Sequence, residues 1–182
     1  MHSLEVNLSK IFLLVGRNFT SSRRFRLIIK IHTTTDLDIT KVSLILQGVP
    51  KEYTSHALVH RGFLRAYNSV SITIINTISS QLHQHPSYSI VATGFSLGAA
   101  LASICGVALG LRFPITPLRT FTFGQPRAGD GRYVDHVEHV IGKENIYRGE
   151  CALIITHKYK LIIPHYSHTY VRYILSALRI RP

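Results

Sequence analysis

Val91-Ala92-Thr93-Gly94-Phe95-Ser96-Leu97-Gly98-Ala99-Ala100-Leu101-Ala102 joins a short β-branched run to an Ala/Leu-rich run through a serine set between two glycines. The first run favours a strand and the second a helix. A serine hydroxyl is a weak nucleophile unless it is presented to solvent beside a base. The Gly-x-Ser-x-Gly spacing serves presentation: a sharp strand-to-helix turn lifts Ser96, and a side chain at Gly94 or Gly98 would strike the crossing backbone. The helix that follows brings a positive dipole end and the N–H of Leu97 to the place where an oxyanion forms. The competing reading is a Gly/Ser turn opening an ordinary βα unit. The strand before and the helix after favour a nucleophile elbow.

Outward from this turn the chain alternates strands and helices. Arg26–Ile31 reads as a strand apolar enough to be central, and Lys41–Leu46 as a second, after the polar turn Thr33–Thr40. Phe63 to about Leu82 reads as one helix, with Leu64, Tyr67, Ser71, Ile75, Ile78 and Leu82 recurring at helical steps. Tyr88–Thr93 leads into the elbow and Leu97–Arg112 leaves it. Leu118–Phe123 is the next strand, Gly131–Ile141 a helix stopped by Gly142, and one or two strands follow from Asn145. The element Tyr170–Leu178 has no clear type. Such alternation predicts an α/β architecture with a mainly parallel sheet flanked by helices. Sites in such sheets lie at the carboxyl ends of strands, where Ser96 falls.

The 182 residues suit one domain over 1–182, and 46% hydrophobic content suits a real core. Mean hydropathy is +0.16. No apolar run approaches a membrane span, and Ile11–Val15 is too short for a signal-peptide core. The amino terminus therefore does not announce secretion, and the compartment is unassigned. Cys105, in the apolar helix, and Cys151, in a strand-like stretch, read as small core residues, with a single disulfide left open. Lysine and arginine number 21 against 9 acidic residues, a net charge of +12. Such an excess suits nucleic acid or an anionic membrane surface. Only Arg23-Arg24-Phe25-Arg26 clusters along the sequence, without zinc-ligand spacing or an RNA-binding or helix-turn-helix signature, so nucleic-acid binding is the minor reading. Most of the 11 histidines, including His83, His85, His136 and His139, read as surface or structural. No metal or cofactor is expected.

Three segments carry a family resemblance. Val59-His60-Arg61-Gly62-Phe63-Leu64-Arg65-Ala66-Tyr67, the Gly94–Ala102 turn and Phe123-Gly124-Gln125-Pro126-Arg127-Ala128-Gly129 resemble consecutive signatures of the fungal-type (class 3) lipases. Tyr147-Arg148, Thr156-His157, Ile163-Pro164 and Tyr166-Ser167-His168 resemble the family's carboxyl-terminal signatures in disturbed form. The resemblance covers about residues 26 to 175. It implies an α/β-hydrolase fold, shortened at the amino terminus, and hydrolysis of carboxylic esters, with triacylglycerol the usual substrate class. Family members are often secreted.

Position by position, the resemblance makes Ser96 the nucleophile, His168 the general base and the Leu97 N–H the first oxyanion donor. The second donor falls on Thr34 in His32-Thr33-Thr34, with Thr33 the next candidate; the family's glycine in this turn is here Thr33. His60 and His157 belong to family motifs and read as packing residues. The triad acid departs from the pattern. Where the family has an aspartate three residues after a Thr-His pair, Thr156-His157-Lys158-Tyr159-Lys160 places Lys160, a cation that opposes protonation of His168. Gly149–Ile155 resembles an insertion. Among the remaining carboxylates Glu150 is the first substitute and Asp130 the second; the plain alternative for both is a solvated charge or a helix cap. Thr35-Asp36-Leu37-Asp38-Ile39-Thr40 occupies the family's lid slot, shorter and without tryptophan.

Three functions are compatible with these residues: a lipid-ester hydrolase, a lipase-like protein binding lipid or a partner without turnover, and a basic nucleic-acid-associated protein.

Overall fold

The computed structural model describes residues 10–16, 24–30, 38–50 and 56–149. In chain order they form β1 (Lys10–Gly16), β2 (Arg24–Lys30), β3 (Lys41–Ser43), β4 (Leu58–His60), α1 (Arg61–Asn68), α2 (Ser71–Gln84), β5 (Ser89–Phe95), α3 (Leu97–Arg112), β6 (Leu118–Phe123), α4 (Gly131–Ile141) and β7 (Ile146–Gly149). Five strands make one sheet in the order β2-β1-β5-β6-β7, and β3 and β4 make a two-stranded ribbon beside it. β5, β6 and β7 are parallel; β1 runs antiparallel to both β2 and β5.

α3 explains why the sheet is covered. Residues 98–109 are buried on every side of this helix, as its Ala/Leu composition requires. Leu101, Ile104, Leu109 and Cys105 join Tyr67, Ile74 and Ile78 from α1 and α2 in one core with Ile90 and Leu118 from the sheet. The Cys105 thiol is buried and unpaired, and desolvation pushes its pKa up. Cys151 lies outside the described residues.

α3, β6 and α4 span the residues that sequence patterning assigns them, and the buried positions of α1 and α2 include Leu64, Tyr67, Ser71, Ile75 and Ile78. Three expectations need correction. The helix expected over Phe63–Leu82 is two helices, broken at Ser69–Val70. There Ser69 Oγ donates to the Ala66 carbonyl at 2.8 Å and Ser71 Oγ to that of Asn68 at 3.1 Å, local bonds that compete with the helical ladder. The strand expected over Lys41–Leu46 ends at Ser43, although Leu44 and Leu46 continue into the core. β2, expected to be central, lies at the edge of the described sheet, because the preceding apolar run forms β1 and inserts between β2 and β5.

Candidate active site

The turn from β5 into α3 is built by steric exclusion. Ser96 has φ 51° and ψ −124°, the sole positive φ outside glycine among the described residues. A Cβ on Gly94 would collide with the Gly98 carbonyl, so only glycine lets β5 and α3 approach this closely. The Ser96 N–H donates to the Phe123 carbonyl at 2.9 Å, which ties the turn to the end of β6. Its carbonyl accepts from the Ala99 N–H at 2.9 Å and starts the helix.

Ser96 thus occupies the N-cap position of α3, yet its hydroxyl makes no cap hydrogen bond. A capping serine normally spends its oxygen on an N–H of the first turn. Here the serine's backbone angles, unlike those of an ordinary cap, go with a hydroxyl free of that role, on a residue that is half-buried at the end of β5. Leu97 is the first helical residue, so its N–H has no intrahelical acceptor. A hydroxyl, an unclaimed N–H and a helix dipole therefore meet at the carboxyl end of β5. That is the geometry an acyl-transfer nucleophile needs.

Neighbouring strands end at the same level. Phe95 pairs with Phe123, and Phe123 with Gly149 at the end of β7. The Gly124 N–H donates to the Gly149 carbonyl at 2.9 Å, and Arg148 Nη2 reaches the Gln125 carbonyl at 3.1 Å. Phe121 and Tyr147 stack with ring centroids 4.5 Å apart, holding β7 against β6. Sequence reading did not foresee these contacts, because they join segments far apart in the chain.

Asp130, the second substitute acid, serves as a cap. Its Oδ1 accepts from the Tyr133 N–H at 2.9 Å and from the Leu58 N–H at 3.1 Å. Desolvation pushes its pKa up, but these two bonds, with the charges of Arg132 and Lys41, outweigh it and hold the carboxyl below its usual value. His60 stacks on Phe63, with 5.6 Å between centroids. Thr33, Thr34, Glu150, His157, Lys160 and His168 lie outside the described residues, as does Thr35–Leu37 of the lid slot. Among the described residues no three His, Cys, Asp or Glu side chains converge on a metal-sized site. An open pocket of about 240 Å³ lined by Gly110, Phe113, Ile115, Thr116, Leu118 and Val140 sits at the opposite end of α3 from the elbow.

The sequence profile of the family described as "Lipase (class 3)" matches residues 29–165. The chain belongs to the class 3 lipase family. It is 38% identical over 97 residues to a lipase of Rhizomucor miehei, a match spanning 50% of this chain and 27% of that protein. The solved triacylglycerol lipase of Penicillium expansum superposes with a TM-score of 0.60 at 30% identity, over 69% of this chain and 48% of that one. A second solved triacylglycerol lipase, whose catalytic centre is described as a serine protease triad, superposes with a TM-score of 0.52 at 31% identity, over 63% and 41% of the two chains. The fold is that of the α/β-hydrolases. Class 3 membership accounts for the elbow, while this lipase-family chain spans about a quarter of the curated relative and under half of the solved ones.

Proposed function

We propose that this chain is a serine hydrolase of carboxylic esters acting on lipid esters, triacylglycerol included. The observation that carries the proposal is the strained Ser96 turn, whose hydroxyl is withheld from capping the helix it begins. Ser96 Oγ attacks the ester carbonyl while His168 takes its proton. The oxyanion is met by the N–H of Leu97 and the hydroxyl of Thr34. His168 then returns the proton to the departing alcohol, and water, activated by the same histidine, releases the acid and restores Ser96. In this reading the carboxylate that orients His168 is Glu150, since it directly follows Gly149 at the strand end level with Phe123. Lys160 stands where the family has its aspartate.

One observation favours a second reading, a lipase-like protein that binds lipid or a partner without turnover: the cation Lys160 in the acid's place. Labelling with a fluorescent alkyl fluorophosphonate, which bonds phosphorus to the serine oxygen and expels fluoride, separates the two. The hydrolase predicts labelling abolished by Ser96→Ala, with turnover of a soluble short-chain ester. Glu150→Gln should then cut turnover by about 10⁴-fold, the scale of losing a triad acid in serine proteases. A folded protein that neither labels nor turns over ester, and gains both in Lys160→Asp, is the binding protein instead.

A further inference from the structure

The cations of this chain are scattered in sequence, and folding gathers four of them around the β3–β4 ribbon and the loop that leaves β6, the strand whose last carbonyl holds the Ser96 N–H. The loop leaving β6 begins at Phe123, whose carbonyl holds the Ser96 N–H, and continues through Arg127 to Asp130. One residue past Arg127, the Ala128 carbonyl accepts from the His60 N–H at 2.9 Å. His60 pairs with Lys41 across the β3–β4 ribbon and precedes Arg61. Asp130 anchors the same ribbon through Leu58 and lies within the field of Arg132 and Lys41. Lys41, Arg61, Arg127 and Arg132 are all exposed. The acids among them are already engaged. Asp38 is paired with Arg61 at 3.2 Å, and Asp130 accepts two backbone N–H bonds.

An apolar residue stands in this group. The Asp38 and Thr40 carbonyls accept from the N–H groups of Gly62 and Arg61, at 3.0 and 2.8 Å, which pins Ile39 against the start of α1. There it is 71% exposed instead of joining the core. Exposed cations around a protruding aliphatic side chain match a surface with negative headgroups over an apolar interior. A nucleic acid offers the charge without the interior.

We infer that the face formed by Ile39, Lys41, Arg61, Arg127 and Arg132 docks the protein on anionic lipid surfaces and so presents the Ser96 edge to them. The inference deepens the lipid-ester reading by naming the kind of surface on which the substrate is met. Charge complementarity supports it: net charge is +12, and four cations against the carboxylates of Asp38 and Asp130 leave this face net positive.

The test measures cosedimentation of the full chain carrying Ser96→Ala, so that binding is read without turnover. Vesicles of phosphatidylcholine alone are compared with vesicles containing 30 mol% phosphatidylglycerol. The expected result is selective binding to the anionic vesicles that weakens with salt, by about fivefold for each cation removed in Arg127→Gln and Arg132→Gln. Ile39→Ser should lower it by about tenfold at every salt concentration. The control is Arg112→Gln with Lys143→Gln, an equal charge change at the far ends of α3 and α4. Equal binding to both vesicles, an equal loss in the control, or tighter binding to a DNA duplex than to the anionic vesicles overturns the inference. Fluorophosphonate labelling of the unsubstituted chain reads the chemistry separately. Loss of vesicle selectivity with labelling intact removes the docking face alone, and selectivity without labelling supports the face while removing the hydrolase.

Discussion

Ser96 holds a backbone conformation that L-residues rarely adopt, and the surrounding contacts hold it there. Gly94 permits the crossing, the Phe123 carbonyl fixes the serine N–H, and α3 begins at once. Replacing Ser96 with glycine removes the Cβ that makes φ 51° costly. Ser96→Gly should therefore raise stability by about 1 kcal/mol in urea unfolding while abolishing fluorophosphonate labelling. No gain in stability would mean that the turn stores no strain. The need for glycine at 94 was legible in the sequence, because the clash is local. That the serine hydroxyl is withheld from capping was not, since any N-cap serine looks alike in a linear pattern.

At the scale of elements, α3 and α4 are joined by a buried bond between Ser103 Oγ and Tyr133 Oη at 2.8 Å. Burial pushes the Tyr133 pKa up, and the bond to Ser103 pulls it partly back. Tyr133→Phe leaves the Ser103 hydroxyl without its partner, and should cost about 1 kcal/mol. Adding Ser103→Ala to that variant should cost little more, a coupling that a double-mutant cycle measures. α4 also carries His136, half-buried, whose pKa is lowered by burial and by neighbouring His139. Its unfolded counterpart titrates near 6.5. Below that value the unfolded chain binds the proton more readily, so stability falls with pH through the window between 6.5 and the lower folded value. His136→Gln should flatten this slope in melts across pH 5 to 7, and an unchanged slope would exclude His136 as its source. The spans of α3 and α4 were legible from apolar spacing and from the stop at Gly142. The break between α1 and α2 was not, because serine side chains bonding to the preceding turn leave the hydrophobic period intact.

For the whole molecule, a net charge of +12 means mutual repulsion within the folded chain. Raising sodium chloride from about 20 to 200 mM shortens the Debye length from roughly 20 to 7 Å. The melting temperature should rise over that range while binding to anionic vesicles falls; a melting temperature that drops would show that favourable ion pairs outweigh the repulsion. By itself the sequence determined the elbow, its strand and helix, and membership of the class 3 lipases. Those rest on short-range sterics and periodicity, which a linear pattern carries in full. It also raised the expectation that Lys160 stands where the family has its aspartate, a reading of residue identity along the motif. Only the tertiary structure decided that β1 separates β2 from β5, that β7 ends level with Phe123, and that Asp130 caps α4. The same is true of the cationic face, since Lys41, Arg61, Arg127 and Arg132 come from separate segments. Strand order and surface charge depend on which distant segments bury one another, and that free energy is shared across the whole core instead of being written in any one stretch.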